Sequence, residues 1–238
     1  MDEITSIPLA NLLLGFLPVI LLIVIMKLWG LNALQPMYAN LRMLVQLLLI
    51  GYVLTYIFET NQPIVVLFVV LFMILVSSWI ALRPLEERGI KAFIIVVSSL
   101  AISGVGVLLL ISQLIVELPR WFEPSFVIPI AGMIFANSMN TVSLAGERFT
   151  TEQRRGKTYH EARKIALETA MIPQINALLA VGLVSLPGMM TGQILSGIEP
   201  LTAARYQIMV MCMIFSTAGL SAVTYMSLKK IKGEEYGG

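Results

Sequence analysis

The chain has 238 residues, of which 58% are hydrophobic and 13% charged, with a mean hydropathy of +0.87 and a formal net charge of +2. A soluble domain carries about 25% charged residues, so this composition excludes an ordinary water-exposed fold. It predicts an all-α polytopic integral membrane protein embedded in a lipid bilayer. Runs of about 17–25 apolar residues, long enough to cross a bilayer, fall at 7–26, 40–58, 63–82, 92–116, 126–145, 171–187 and 204–228. About seven transmembrane helices are therefore expected in one membrane domain, 1–238, with the termini on opposite sides. The first run follows Asp2 and Glu3 without a basic flank and reads as a retained span. Between the first two runs, Leu31, Leu34, Tyr38 and Leu41 recur at helical spacing, which fits an interfacial elbow helix or an ordinary linker around Pro36.

Basic residues set the orientation. Of the 16 Lys and Arg, only Arg120 and Arg205 fall in one set of alternating connections, and the other 14 fall in the opposite set and the C-terminal tail. Cytoplasmic connections retain Lys and Arg, so the N-terminus is expected outside and the C-terminus inside. The same distribution explains the net positive charge and removes the case for nucleic acid. Cys212 is the only cysteine and lies in the last run, so it offers neither a disulfide framework nor a cysteine cluster. His160 is likewise alone. No paired carboxylates, His-Glu-x-x-His pattern or nucleophile with a base is present, so an enzyme is not expected.

The segment 146–170 is the largest charged connection. Thr158-Tyr159-His160-Glu161 matches a capping box, in which hydroxyl and carboxylate satisfy each other's backbone donors at a helix start. Behind it Tyr159, Ala162, Ala166 and Ala170 share one face, away from Arg163, Lys164 and Glu168. On residues alone this amphipathic helix is either a solvated connector or a docking helix for a motor protein. Gly156-Lys157-Thr158 is not a Walker A motif, because position 151, where the motif needs its first glycine, is Thr.

Polar and sulfur groups at membrane depth either bond helix to helix or line a pathway. The fifth run carries Met133, Asn137 and Asn140 on one face, the sixth carries Asn176, and Gln207 lies near the start of the seventh. Between the last two runs, residues 185–197 are uncharged and contain Pro187, Gly188, Gly192 and Gly197, with Met189, Met190 and Gln193 among them. A broken helix at membrane depth is tolerated only against protein or a wet cavity, so this stretch is a candidate for the transport path. Met189 and Met190 are candidate transient ligands for a soft ion, although methionine also fills membrane cores.

Gly182-Leu183-Val184 through Gly197, continuing into Arg205-Tyr206-Gln207-Ile208, resembles the signature of the FetB/YbbM family of ABC-transporter permeases, which includes bacterial iron-export and plant aluminium-resistance permeases. The resemblance implies a permease homodimer working with two copies of a cytoplasmic ATPase subunit. ATP and Mg would bind that subunit, with no cofactor on this chain. It implies ATP-driven export of a metal ion, iron, along a path including Met133, Asn137, Asn140, Asn176, Met189, Met190, Gln193 and Gln207. It also implies ATPase coupling through Gly156, Thr158, Glu161, Arg163 and Lys164. Without the resemblance, an autonomous secondary transporter or channel for a cation or small polar solute stays open, since broken helices also occur there.

Overall fold

The computed structural model describes residues 8–59 and 62–234. Asp2 and Glu3, expected outside, and Thr60 and Asn61 of the turn before Pro63 lie outside the described residues. The described residues form α-helices, and the chain divides into two compact units, Met1–Glu59 and Thr60–Gly238.

The first unit contains α1 (Leu9–Leu14), α2 (Leu17–Leu28) and α3 (Leu34–Phe58). Pro18 falls in the first turn of α2, and Pro36 in the first turn of α3. Backbone N–H groups there have no intrahelical acceptor, so proline costs nothing. The expected elbow at 31–41 is therefore not separate: residues 34–41 are the opening turns of α3.

The second unit contains α4 (Pro63–Ala81), α5 (Ile90–Leu109), α6 (Pro124–Arg154), α7 (Tyr159–Ala180), α8 (Gly188–Leu195) and α9 (Pro200–Glu234). A six-residue π-helical segment, Leu110–Ile115, extends α5. α6 is central, packing against α4, α5, α7 and α9. Its sequence explains this role. Ile128, Phe135, Val142 and Phe149 recur every seven residues, as do Ala131, Ser138, Ala145 and Glu152, and all eight are buried. Alternating bulky and small rows let neighbouring helices interlock. Ala145 of α6, Ala170 of α7 and Ala222 of α9 meet in a buried cluster beside Leu167, and such small residues let backbones come together.

Among the described residues, six stretches have both the length and the apolar composition of a membrane span: Asn11–Leu28, Leu34–Phe58, Pro63–Ala81, Ile90–Ile115, Pro124–Arg154 and Pro200–Lys229. By length and apolar composition the run expected at 171–187 is not one of these six stretches. Its first ten residues are the second half of α7, which ends at Ala180, and residues 181–187 form a turn. No breaker separates Ala170 from Met171, so the amphipathic and apolar stretches continue as one helix. Similarly, the charged connection 146–170 shrinks to a short turn, because α6 continues to Arg154 and α7 begins at Tyr159. Gly156, at φ +80°, makes that reversal, a conformation costly for residues with a side chain.

α7 runs antiparallel to α9. At one end the Tyr159 hydroxyl donates to the Met226 carbonyl oxygen at 3.2 Å. At the other end, Leu178 and Val181 line a cavity with Ala204, Gln207 and Ile208. The 22 residues of α7 thus reach about 33 Å along its neighbour.

Candidate functional site

Two features of the second unit carry chemistry, and α7 joins them. The first is a charged end. Arg154 at the end of α6 pairs with Glu86, Lys229 of α9 pairs with Glu87 at 3.2 Å, and Arg88 donates to the carbonyl oxygens of Arg83 and Leu85. Glu152, 4% exposed, receives both Arg148 and Arg155 at 3.0 Å. Two guanidiniums around one buried carboxylate compensate its desolvation. Tyr159 packs edge-on against Phe149 with ring centroids 5.7 Å apart, and Lys229 lies 5.7 Å from the Phe149 ring centre. The ends of α4, α6 and α9 and the start of α7 are thus tied into one cluster.

The helix start in this cluster has its expected capping box. The Glu161 N–H donates to the Thr158 hydroxyl at 3.3 Å, and the Thr158 N–H donates to the Glu161 carboxylate at 3.0 Å. The Thr158 hydroxyl also lies 3.0 Å from that carboxylate. Hydrogen bonds from the Thr158 backbone and then its hydroxyl, with Lys157 nearby, hold the Glu161 carboxyl below its usual range. Ala162, Ala166 and Ala170 are fully buried against the bundle, which leaves Gly156, Thr158, Glu161, Arg163 and Lys164 exposed on the outer side. Arg163 folds back over Tyr159, 5.6 Å from its ring centre.

The second feature is the break. α7 stops at Ala180, whose carbonyl oxygen accepts from the N–H groups of Leu183, Val184 and Ser185 at 2.8–3.2 Å. The Gly182 N–H donates to the Ser185 carbonyl oxygen at 2.9 Å, with Gly182 at φ +81°. The chain becomes helical again at Gly188, immediately after Pro187. The turn therefore satisfies much of its own backbone.

Beside the turn, α8 and α9 bound a cavity of about 440 Å³, lined by Leu178, Val181, Gly182, Leu186, Met190, Ala204, Gln207, Ile208, Met211 and Cys212. Its wall is apolar and sulfur-rich apart from Gln207. That side chain is 5% exposed, and its Oε1 has no hydrogen-bond partner. A buried amide oxygen left unbonded carries a free-energy cost of about 1–3 kcal/mol, so Gln207 is a candidate contact for a ligand or a water. Gln193 on α8 is half-buried and also has an unpartnered Oε1.

Of the path residues predicted from sequence, Met190 and Gln207 line this cavity. Met189 and Gln193 lie on the same short helix, α8, half-buried. Asn137 belongs instead to the α6–α7 contact, and Met133 lies half-buried one turn before it on α6. The Asn137 amide donates to the Met133 carbonyl oxygen at 2.9 Å, and its oxygen accepts from Gln174 at 3.5 Å. Gln174 also donates to the Thr141 hydroxyl at 3.4 Å. Asn140 and Asn176 are exposed on α6 and α7. Sequence reasoning missed Gln174, Met211 and Cys212. Gln174 falls four residues after Ala170 on the buried alanine row, and continuing that row finds it. Met211 follows Gln207 by one helical turn.

Six membrane-length helices among the described residues define a multi-pass membrane protein. The chain belongs to the Uncharacterised protein family UPF0014, whose model matches residues 9–231. It is 39% identical over 206 residues to the probable iron export permease protein FetB of Escherichia coli, covering 79% of this chain and 78% of that protein. It is 34% identical over 204 residues to the UPF0014 membrane protein slr1647 of Synechocystis, covering 79% of each. It is 31% identical over 205 residues to Protein ALUMINUM SENSITIVE 3 of Arabidopsis thaliana, covering 80% of this chain and 74% of that protein. No solved structure matches it.

Proposed function

We propose that this chain is the membrane-spanning permease subunit of an ATP-binding-cassette exporter, moving a metal ion out of the cytoplasm with a separate ATPase subunit. The observation that carries this reading is the single uninterrupted α7, which connects the exposed, capped end near Thr158 to the break and cavity beyond Ala180. Its buried alanine row packs between α6 and α9, and the helix continues through Pro173 to Ala180, so the two ends belong to one element through which movement can be coupled. The charged cluster on that end, rich in Arg and Lys, supports its placement in the cytoplasm, with the N-terminus outside when α7 is counted as a crossing beside the six membrane-length helices. Similarity to a probable iron export permease supports iron as cargo. ATP and Mg belong to the partner subunit, and two permease copies complete the assembly.

The test is co-purification with the ATPase subunit and measurement of ATP hydrolysis with and without this chain. Retention of the ATPase and stimulation of its hydrolysis support the reading. A chain that retains no ATPase yet conducts cations alone overturns it in favour of an autonomous channel or secondary transporter.

A further inference from the structure

The cavity beside the break brings together three sulfur side chains from two elements: Met190 of α8, and Met211 and Cys212 of α9. Cys212 looked inert in the sequence because it is the only cysteine in the chain. In the structure it shares a wall with two thioethers and with Gln207, whose buried Oε1 has no partner. Cys212 is itself exposed at the bundle surface. Among the described residues no group of three His, Cys, Asp or Glu is placed to hold a metal ion, and the donors that line this cavity are chiefly sulfur atoms. Thiolate and thioether ligands select soft d¹⁰ ions such as Cu(I).

We propose that Cys212, Met190 and Met211 form a binding site for a soft monovalent cation, Cu(I) or Ag(I), with Gln207 Oε1 as a supporting polar contact. The thiol loses its proton to solvent as the sulfur–metal bond forms. One cation therefore enters as one proton leaves, and uptake strengthens as pH rises. The net charge of the site is unchanged by this exchange, which suits a position about 18 Å along α9 from Pro200, within a membrane span. Two thioethers beside a single thiolate hold the ion less firmly than a set of thiolates, which suits passage. The inference deepens the export reading by naming a cargo class that the path accepts.

The experiment uses the full purified chain without any ATPase. Cu(I) is titrated under reducing conditions against bicinchoninate, and Ag(I) is scored by protection of Cys212 from N-ethylmaleimide. Because Cys212 is the only cysteine, alkylation reports this site alone. One ion per chain is expected. The Met190→Leu, Met211→Leu variant should bind about 10-fold or more weakly, a scale already seen when only outer-sphere partners are lost, while metal-free Cys212 alkylates at the original rate. Cys212→Ser should abolish tight binding. Absence of binding by the unmodified chain overturns the proposal without recourse to variants. Equal affinity in the double Leu variant also overturns it, because the thiol would then act alone. Either result leaves export standing, whereas intact binding without ATP-dependent flux overturns export and not the site.

Discussion

The interlock of α5 with α6 makes a quantitative prediction. A Cβ built on Gly104 would lie 2.5 Å from Cε1 of Phe135, 3.0 Å from Cγ2 of Ile134 and 3.2 Å from Cδ1 of Phe135. Carbon atoms pack favourably at about 3.5–4.0 Å, so the Phe135 ring must retreat by about 1 Å. It has nowhere to go, being 1% exposed, with Ile134 fully buried beside it. Overpacking of this kind costs about 1–3 kcal/mol. Gly106, two residues further along the same helix, has nothing within 4 Å of an added Cβ. Both Gly→Ala changes gain about 0.5–1 kcal/mol from helix propensity, so the difference between the two variants isolates the steric cost. Gly104→Ala should be less stable than Gly106→Ala by about 1–3 kcal/mol when both are unfolded by SDS in mixed micelles. Adding Phe135→Leu to Gly104→Ala should recover part of the loss. Equal stability of the two alanine variants would refute the packing described here.

Four further outcomes concern the capped end, the topology and the α8 methionines. Thr158→Ala removes a cap worth about 0.5–2 kcal/mol, and Glu161→Arg also places positive charge at a positive helix end, so the double variant should lose stimulated ATP hydrolysis and co-purification; unchanged values would remove the docking role. Because the Glu161 carboxyl is held below its ordinary value of 4.5, its cap is fully present above that pH and is lost as pH falls through the lower folded value, so an amide-exchange measurement at the start of α7 should show fraying only in strong acid; fraying already at pH 6 contradicts this. With Cys212 replaced, single cysteines at Gln62 and Glu199 should react from outside and those at Arg155 and Lys230 from the cytoplasm, and reactivity of position 62 from the cytoplasm alone sinks the orientation. Met189→Leu with Met190→Leu preserves apolar volume, at under about 1.5 kcal/mol each, yet should reduce metal flux, and full flux would remove the α8 thioethers from the path.

Local chemistry was legible in the sequence and tertiary convergence was not. The capping box at Thr158 and Glu161 depends on four consecutive residues, and the alanine row on α7 depends only on helical periodicity, so both could be read directly. The apolar runs were also legible, but hydropathy alone cut α7 at Ala170, where polarity changes and the backbone does not. Pro187 and Gly188 marked the break correctly in kind, yet the helix ends seven residues earlier, at Ala180, because Gly182 supplies the left-handed turn. The cavity needed the structure. Leu178, Met190 and Met211 belong to three helices, and nothing in their sequence spacing brings them together. Cys212 gains its significance only from those neighbours. Asn137 was legible as a polar residue in the bundle, but its partner Gln174 lies 37 positions away.

The proposed outward movement of a metal ion under the control of a separate ATPase is open to measurement. Proteoliposomes containing the chain and its ATPase, with ATP on the face bearing Arg155 and Lys229, test it directly by following iron and Cu(I) in parallel across the bilayer. Metal should move away from the ATP side, dependent on both subunits and abolished by a hydrolysis-deficient ATPase. Equal flux without ATP or without the ATPase, or no flux of either metal while hydrolysis is stimulated, would contradict it.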